Sequence, residues 1–149
     1  MRKLVALAAL IALAPVVPAQ EYATTKDAQQ LVRRAAAFVK KEGRVKALAA
    51  FNDRKGAFAY RDLYVFAYGL DGTCLAHPTK PERVGKNNLE DVDPDGKKFV
   101  RERIEIVKQK GKGWQEYKFH NPATNRIEQK VAYFELVDGV LLVAGAYKK

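Results

Sequence analysis

The sequence holds one cysteine, Cys74, along with two histidines and one tryptophan in 149 residues. A single thiol excludes an internal disulfide and every zinc or iron–sulfur site built from several cysteines. No G-x-S-x-G, H-E-x-x-H or phosphate-binding glycine loop occurs, so the signatures of serine hydrolases, zinc proteases and nucleotide-binding enzymes are missing. Glycine (10) and proline (6) are too sparse for collagen-like or low-complexity architecture. Acidic residues are in deficit: 17 Asp and Glu face 27 Lys and Arg, a formal charge of +10. That excess would nominate nucleic acid or an anionic membrane as partner. What is present is a normal globular mixture, 48% apolar and 30% charged, at the length of one domain.

The N-terminus redirects the reading of that charge. Arg2 and Lys3 precede an uncharged apolar run from Leu4 to Ala14, Pro15 breaks it, and Val17-Pro18-Ala19 supplies small residues for a signal peptidase. A membrane span needs about 20 apolar residues, which this run does not reach. The segment 1–19 therefore reads as a signal peptide, and 20–149 as one exported domain, periplasmic or secreted. Nucleic acid is then a poor partner, and no transmembrane segment is expected after cleavage.

Periodicity lays out the rest. Thr24 or Thr25 can cap a helix whose stripe is Ala28, Leu31, Val32, Ala35, Ala36 and Val39. Its basic residues, Arg33, Arg34, Lys40 and Lys41 among them, read as a solvated face. Gly43 ends it, and a short helix over Arg44–Asn52 follows. Leu63–Leu70 reads as a strand, with Tyr64, Phe66 and Tyr68 sharing one face, and Thr73–His77 as its return. Asp71-Gly72 and Asp138-Gly139 read as two-residue type I′ hairpin turns. Residues 78–96 read as loop, Lys97–Lys110 as a helix stopped by Gly111, and Trp114–Phe119, Ile127–Val137 and Val140–Tyr147 as strands. Five mostly antiparallel strands with helices against them make an α+β domain.

Three constellations carry possible chemistry. Asp91-Val-Asp-Pro-Asp-Gly96 with Glu102 fits the EF-hand calcium pattern, but no helix enters it and Pro94 interrupts it. It reads as an acidic turn leading into the helix near Lys97, so no metal is assigned. Cys74 and His77, three apart on a strand, should point to opposite faces, and Cys74 reads as a small core residue. The third set is His77 and Lys130 among the aromatics Tyr64, Phe66, Trp114, Tyr117 and Tyr133. A cation and an imidazole within aromatic walls suit a small carboxylate. The same aromatics also read as plain core. Strand parity divides the set, because Lys130 and Tyr133, like Trp114 and Tyr117, face opposite sides unless a bulge intervenes.

The stretch from Leu63 to Pro78 (LYVFAYGLDGTCLAHP) resembles the first hairpin of single Cache domains, which are extracellular PAS-like sensor modules. Val84-Gly-Lys-Asn-Asn-Leu89 is similar to the family's V-G-K-N-L loop, and Asp93–Phe99 to its D-x-x-G-K-x-F helix start. Gly111–Tyr117 matches G-x-G-W-x-x-Y, Asn121–Thr124 matches N-P-x-T, Lys130–Tyr133 matches K-x-x-Y, and Val143–Tyr147 resembles the V-x-x-G-x-Y close. The resemblance implies a PAS-like five-stranded antiparallel sheet with a long N-terminal helix packed along it. It implies a pocket for a small molecule on the sheet's other face; two histidines and one cysteine are thin material for catalysis, and no cofactor is expected. Receptors of this kind sit between membrane helices. The expectation here is a module acting alone or as accessory to a membrane receptor or kinase, with a small-substrate enzyme or an interaction protein with a vestigial pocket as alternatives.

Overall fold

The computed structural model describes residues 22–148, so the signal-peptide reading lies outside the described residues. Helix α1 spans Thr25–Glu42 and α2 spans Arg44–Asn52. Thr24 caps α1: its hydroxyl accepts from Asp27 N–H, and the Asp27 carboxylate accepts from Thr24 N–H. This reciprocal capping box satisfies two otherwise unpaired donors. All six residues of the expected α1 stripe are buried. Gly43 separates the helices at φ 81°, a backbone state that favours glycine.

Seven strands follow: β1 (Ala59–Tyr60), β2 (Leu63–Tyr64), β3 (Phe66–Tyr68), β4 (Cys74–Ala76), β5 (Lys112–Asn121), β6 (Arg126–Val137) and β7 (Val140–Tyr147). Helix α3 (Phe99–Lys110) lies between β4 and β5. The main sheet has five strands in the order β4-β3-β7-β6-β5, every pair antiparallel. Helix α1 packs on one face, against β6 and β7, and α3 covers the other against β5 and β6. Strand β7 is central and covered on both sides, which is why all eight of its residues are buried and apolar or small. Two cores result. One joins α1 to Leu142, Ala144 and Tyr133, and the other joins α3 to Tyr64, Phe66, Tyr68, Phe134 and Val143.

Several expectations needed correction. The strand expected over Leu63–Leu70 is two pieces, because Val65 N–H turns aside to Phe58 O and β2 pairs with β1 instead. The turn at Asp71-Gly72 is not type I′. Only Gly72 has positive φ (90°), and Gly72 N–H bonds Gly69 O while Gly69 N–H bonds Thr73 O. Asp71 turns its carboxylate onto Thr73 N–H and the Thr73 hydroxyl instead. Asp138 and Gly139 both have positive φ (48° and 74°), as a type I′ turn requires, and join Val137 directly to its partner Val140. Helix α3 starts at Phe99, two residues late, and β5 runs farther at both ends than the hydrophobic pattern reached.

Candidate functional site

On the α3 face, the loop between β4 and α3 stands over the ends of β5 and β6. It leaves an open pocket of about 690 Å³, lined by Arg83, Asn88, Asp93, Phe99, Phe119 and His120 among others. Asp93 shapes this loop. One carboxylate oxygen accepts from Asp95 and Lys97 N–H, and the other accepts from Lys118 N–H on β5 at 3.0 Å. These bonds hold its pKa below the usual value although burial opposes them. Lys118 pairs with Asp95, and Lys97 with Glu102. The acidic stretch thus serves as a loop clamp, and its carboxylates already have partners.

Strand alternation sends Lys130 inward from β6 on this face, where it does not line the open pocket but lies against Phe119, which does. Lys130 is fully buried (0% exposed), and its ammonium donates to Tyr64 Oη at 3.1 Å. The rings of Tyr64, Phe66, Tyr147 and Phe119 surround the ammonium at 4.4, 4.9, 4.9 and 5.5 Å. Among the described residues no carboxylate forms an ion pair with it. Asp62, a buried acid, accepts from Ala23 N–H and pushes the already burial-raised Tyr147 phenol further up. Burial also opposes ionisation of Tyr64, but the charge of Lys130 and the hydrogen bonds around its oxygen outweigh burial and bring its pKa down. The aromatic faces give Lys130 partial compensation, as cation–π contacts do.

His77 completes the inner wall. Its ring stacks on Phe66 at 5.1 Å and lies 5.4 Å from Tyr64 and 5.8 Å from Phe119. Nδ1 accepts from Lys80 N–H at 3.2 Å. That places the ring proton on Nε2, which is buried and has no partner. Burial first, then the charges of Lys130, Arg83, Lys80 and Arg103, hold His77 well below its ordinary pKa. It is a neutral donor without an acceptor.

Sequence reasoning missed two cations. Arg103 is fully buried in α3, and its Nε donates to Gln115 Oε1 at 3.1 Å. Gln115 is itself anchored on Phe99 O. Both terminal guanidinium nitrogens of Arg103 are buried without partners. The rings of Tyr117, Phe66, Phe134 and Phe99 lie 5.0 to 6.0 Å from its Cζ. The signal was available: Arg103 falls on the stripe Val100, Ile104 and Val107, where a charge has no bland explanation. Arg83 reaches in from the loop, pairs with Asp91 at 2.8 Å and donates to Tyr68 Oη at 3.2 Å.

The structure divides the expected aromatics by parity. The β5–β6 register runs without a shift from Lys112↔Glu135 to Asn121↔Arg126. Tyr64, Phe66, His77, Tyr117 and Lys130 therefore share the α3 face. Trp114 and Tyr133 meet at a tilt, centroids 4.8 Å apart, on the α1 face and are separated from this site by the sheet. Cys74 and His77 do share a face, contrary to the alternation argument, because the register shifts between Ala67 and Tyr68 within the β3–β4 pair. Even so, the Cys74 thiol points to Ala76 O, and burial pushes its pKa up to about 11, so it is an inert core group.

A long helix on one face of a five-stranded antiparallel sheet, with a loop-roofed pocket and buried cations on the other, is the build of a PAS-like sensor module. The chain belongs to the Cache domain family, whose profile matches residues 24–148. Cache sensor domains are ligand-binding modules without catalysis. A solved Cache chemosensory domain, described for its carboxylic acid recognition, superposes with a TM-score of 0.75 at 22% identity, covering 84% of this chain and 93% of its own. A methyl-accepting chemotaxis protein from Vibrio parahaemolyticus superposes with a TM-score of 0.71 at 24% identity, over 82% of this chain and 86% of that one. The sensor histidine kinase MctS of Rhizobium johnstonii is 37% identical over 78 residues, which is 52% of this chain. The chain spans 17% of that kinase's length. Among the described residues, no helix is long and apolar enough to cross a membrane.

Proposed function

We propose that this chain is an exported Cache sensor domain that binds a small organic acid beneath the pocket roof. In this reading the segment 1–19 is cleaved, and the domain works in the periplasm or outside the cell, alone or as accessory to a membrane receptor or kinase. The observation that carries the ligand class is the pairing of Lys130 with His77. A fully buried ammonium without an ion pair faces the same aromatic ring as an imidazole whose Nε2–H has no acceptor. A buried unpaired charge and a buried unused donor each cost free energy, and one carboxylate would compensate both. Tyr64 Oη, already in contact with Lys130, supplies a third polar contact without adding charge. Tyr117 and Phe66 supply wall. The carboxylic acid recognition of the structurally similar Cache domain parallels this reading.

The test is a thermal-shift screen of short-chain organic acids, amino acids and amines, followed by calorimetry on any hit. An acid at 100 times its Kd should add ~2.7 kcal/mol of stability. Stabilisation by amines alone, with no response to any acid, would reject the reading.

A further inference from the structure

We infer that the site is built for two anionic groups on one ligand, so that a short dicarboxylate is preferred over a monocarboxylate of the same length. This rests on the carboxylate reading above and extends it. Two sets of donors lie on the same sheet face, one with an ammonium bonded only to Tyr64 Oη, and each lies against a different ring of the pocket wall. Behind Phe119 are the Lys130 ammonium, 5.5 Å from that ring, and His77 Nε2. Behind Phe99 are the two unpartnered terminal nitrogens of Arg103. Phe99 and Phe119 both line the open pocket and meet edge to face at 6.0 Å. Phe66 lies between the sets, 4.9 Å from Lys130 Nζ and 5.5 Å from Arg103 Cζ.

The two cations differ in the anion each is shaped for. Lys130 is a point charge that suits one oxygen, with His77 donating beside it. Arg103 is clamped through Nε by Gln115, which orients the guanidinium and leaves both terminal N–H groups free for a carboxylate. Arg83, the third cation of this face, already has Asp91 and Tyr68. A monocarboxylate held at Lys130 and His77 leaves the Arg103 nitrogens without an acceptor. A second carboxylate supplies one. If Arg103 served packing alone, a hydrophobic side chain would do as well, since an unpaired buried charge costs more than an apolar residue of similar volume.

Isothermal titration calorimetry of the purified protein with succinate and with butyrate, matched in carbon number, tests this. Succinate should bind at least tenfold tighter. Arg103→Met, which replaces the cation by an apolar chain of similar length, should remove that difference by weakening succinate while leaving butyrate within about threefold. Arg103→Gln gives the same reading if the Met variant fails to fold. Butyrate binding as tightly as succinate, or equal losses for both ligands in Arg103→Met, would overturn the inference and leave the monocarboxylate reading standing. Binding of neither these acids nor malonate or propionate would reject both readings together.

Discussion

Lys130 is the residue on which most of the chemistry turns. Its ammonium is buried among four rings and one phenol oxygen. If it anchors an acid, Lys130→Ala should weaken binding by about 2 kcal/mol or more, as truncation of one partner of a buried charge pair does. Cys74→Ala should leave affinity nearly unchanged, because the buried thiol is engaged with the Ala76 carbonyl and does not line the pocket. Trp114→Ala should also leave affinity unchanged, since its ring lies on the α1 side. Calorimetry on the three variants checks all of these, and a large loss in Trp114→Ala would contradict the facial division of the sheet. His77 adds a pH dependence. Its folded pKa lies well below the ordinary value of about 6.5, so below that pH the unfolded chain takes up a proton the folded chain refuses. The stability it contributes is complete above about pH 6.5 and falls as the pH drops toward the folded pKa. The ligand-free protein should lose melting temperature from about pH 6.5 to pH 5. A His77→Gln variant should show a flatter profile over that window, and an identical profile would remove His77 as the source.

The helices and strands deliver these groups through a few local devices. Helix α3 presents Arg103 and Phe99 downward because its apolar stripe docks on β5 and β6, and Gly111 ends it in the left-handed region at φ 74°. Strand β7 passes under Lys130 at Gly145. A Cβ there would stand 2.7 Å from Lys130 Cε and 3.0 Å from Val131 O, so only glycine lets the lysine stem cross the strand. Gly145→Ala should displace the ammonium and cost acid affinity about tenfold while circular dichroism stays that of the folded protein. Unchanged affinity would mean that the stem has room the geometry does not show. The α1 side behaves as ordinary core. Val32→Ala there removes buried methyl groups at a fully buried position and should cost about 1–3 kcal/mol in denaturant unfolding without altering ligand affinity.

At the scale of the whole molecule, the two faces of one sheet do different work. The α1 face is apolar core, with the basic side of the helix in solvent. The α3 face holds a buried Lys130 without an ion pair and unpartnered buried donors on Arg103 and His77, an arrangement that costs the folded protein stability. In the proposed reading, an acid that compensates these groups would stabilise the folded protein on binding. The sequence by itself determined α1, α2, the central strands and the Asp138-Gly139 turn, because each is set by local periodicity or by a backbone state that few residues adopt. It also determined the family, through motifs in order, and the parity that sets Lys130 against Tyr133. It did not determine the division of the strand at Val65 or the register shift that brings Cys74 and His77 to one face. Those depend on which strand each backbone group finds as partner. Nor did it assemble Arg103 with Lys130: they are carried by different elements, and only the packing of α3 across the sheet puts both beside Phe66, each buried without an ion pair.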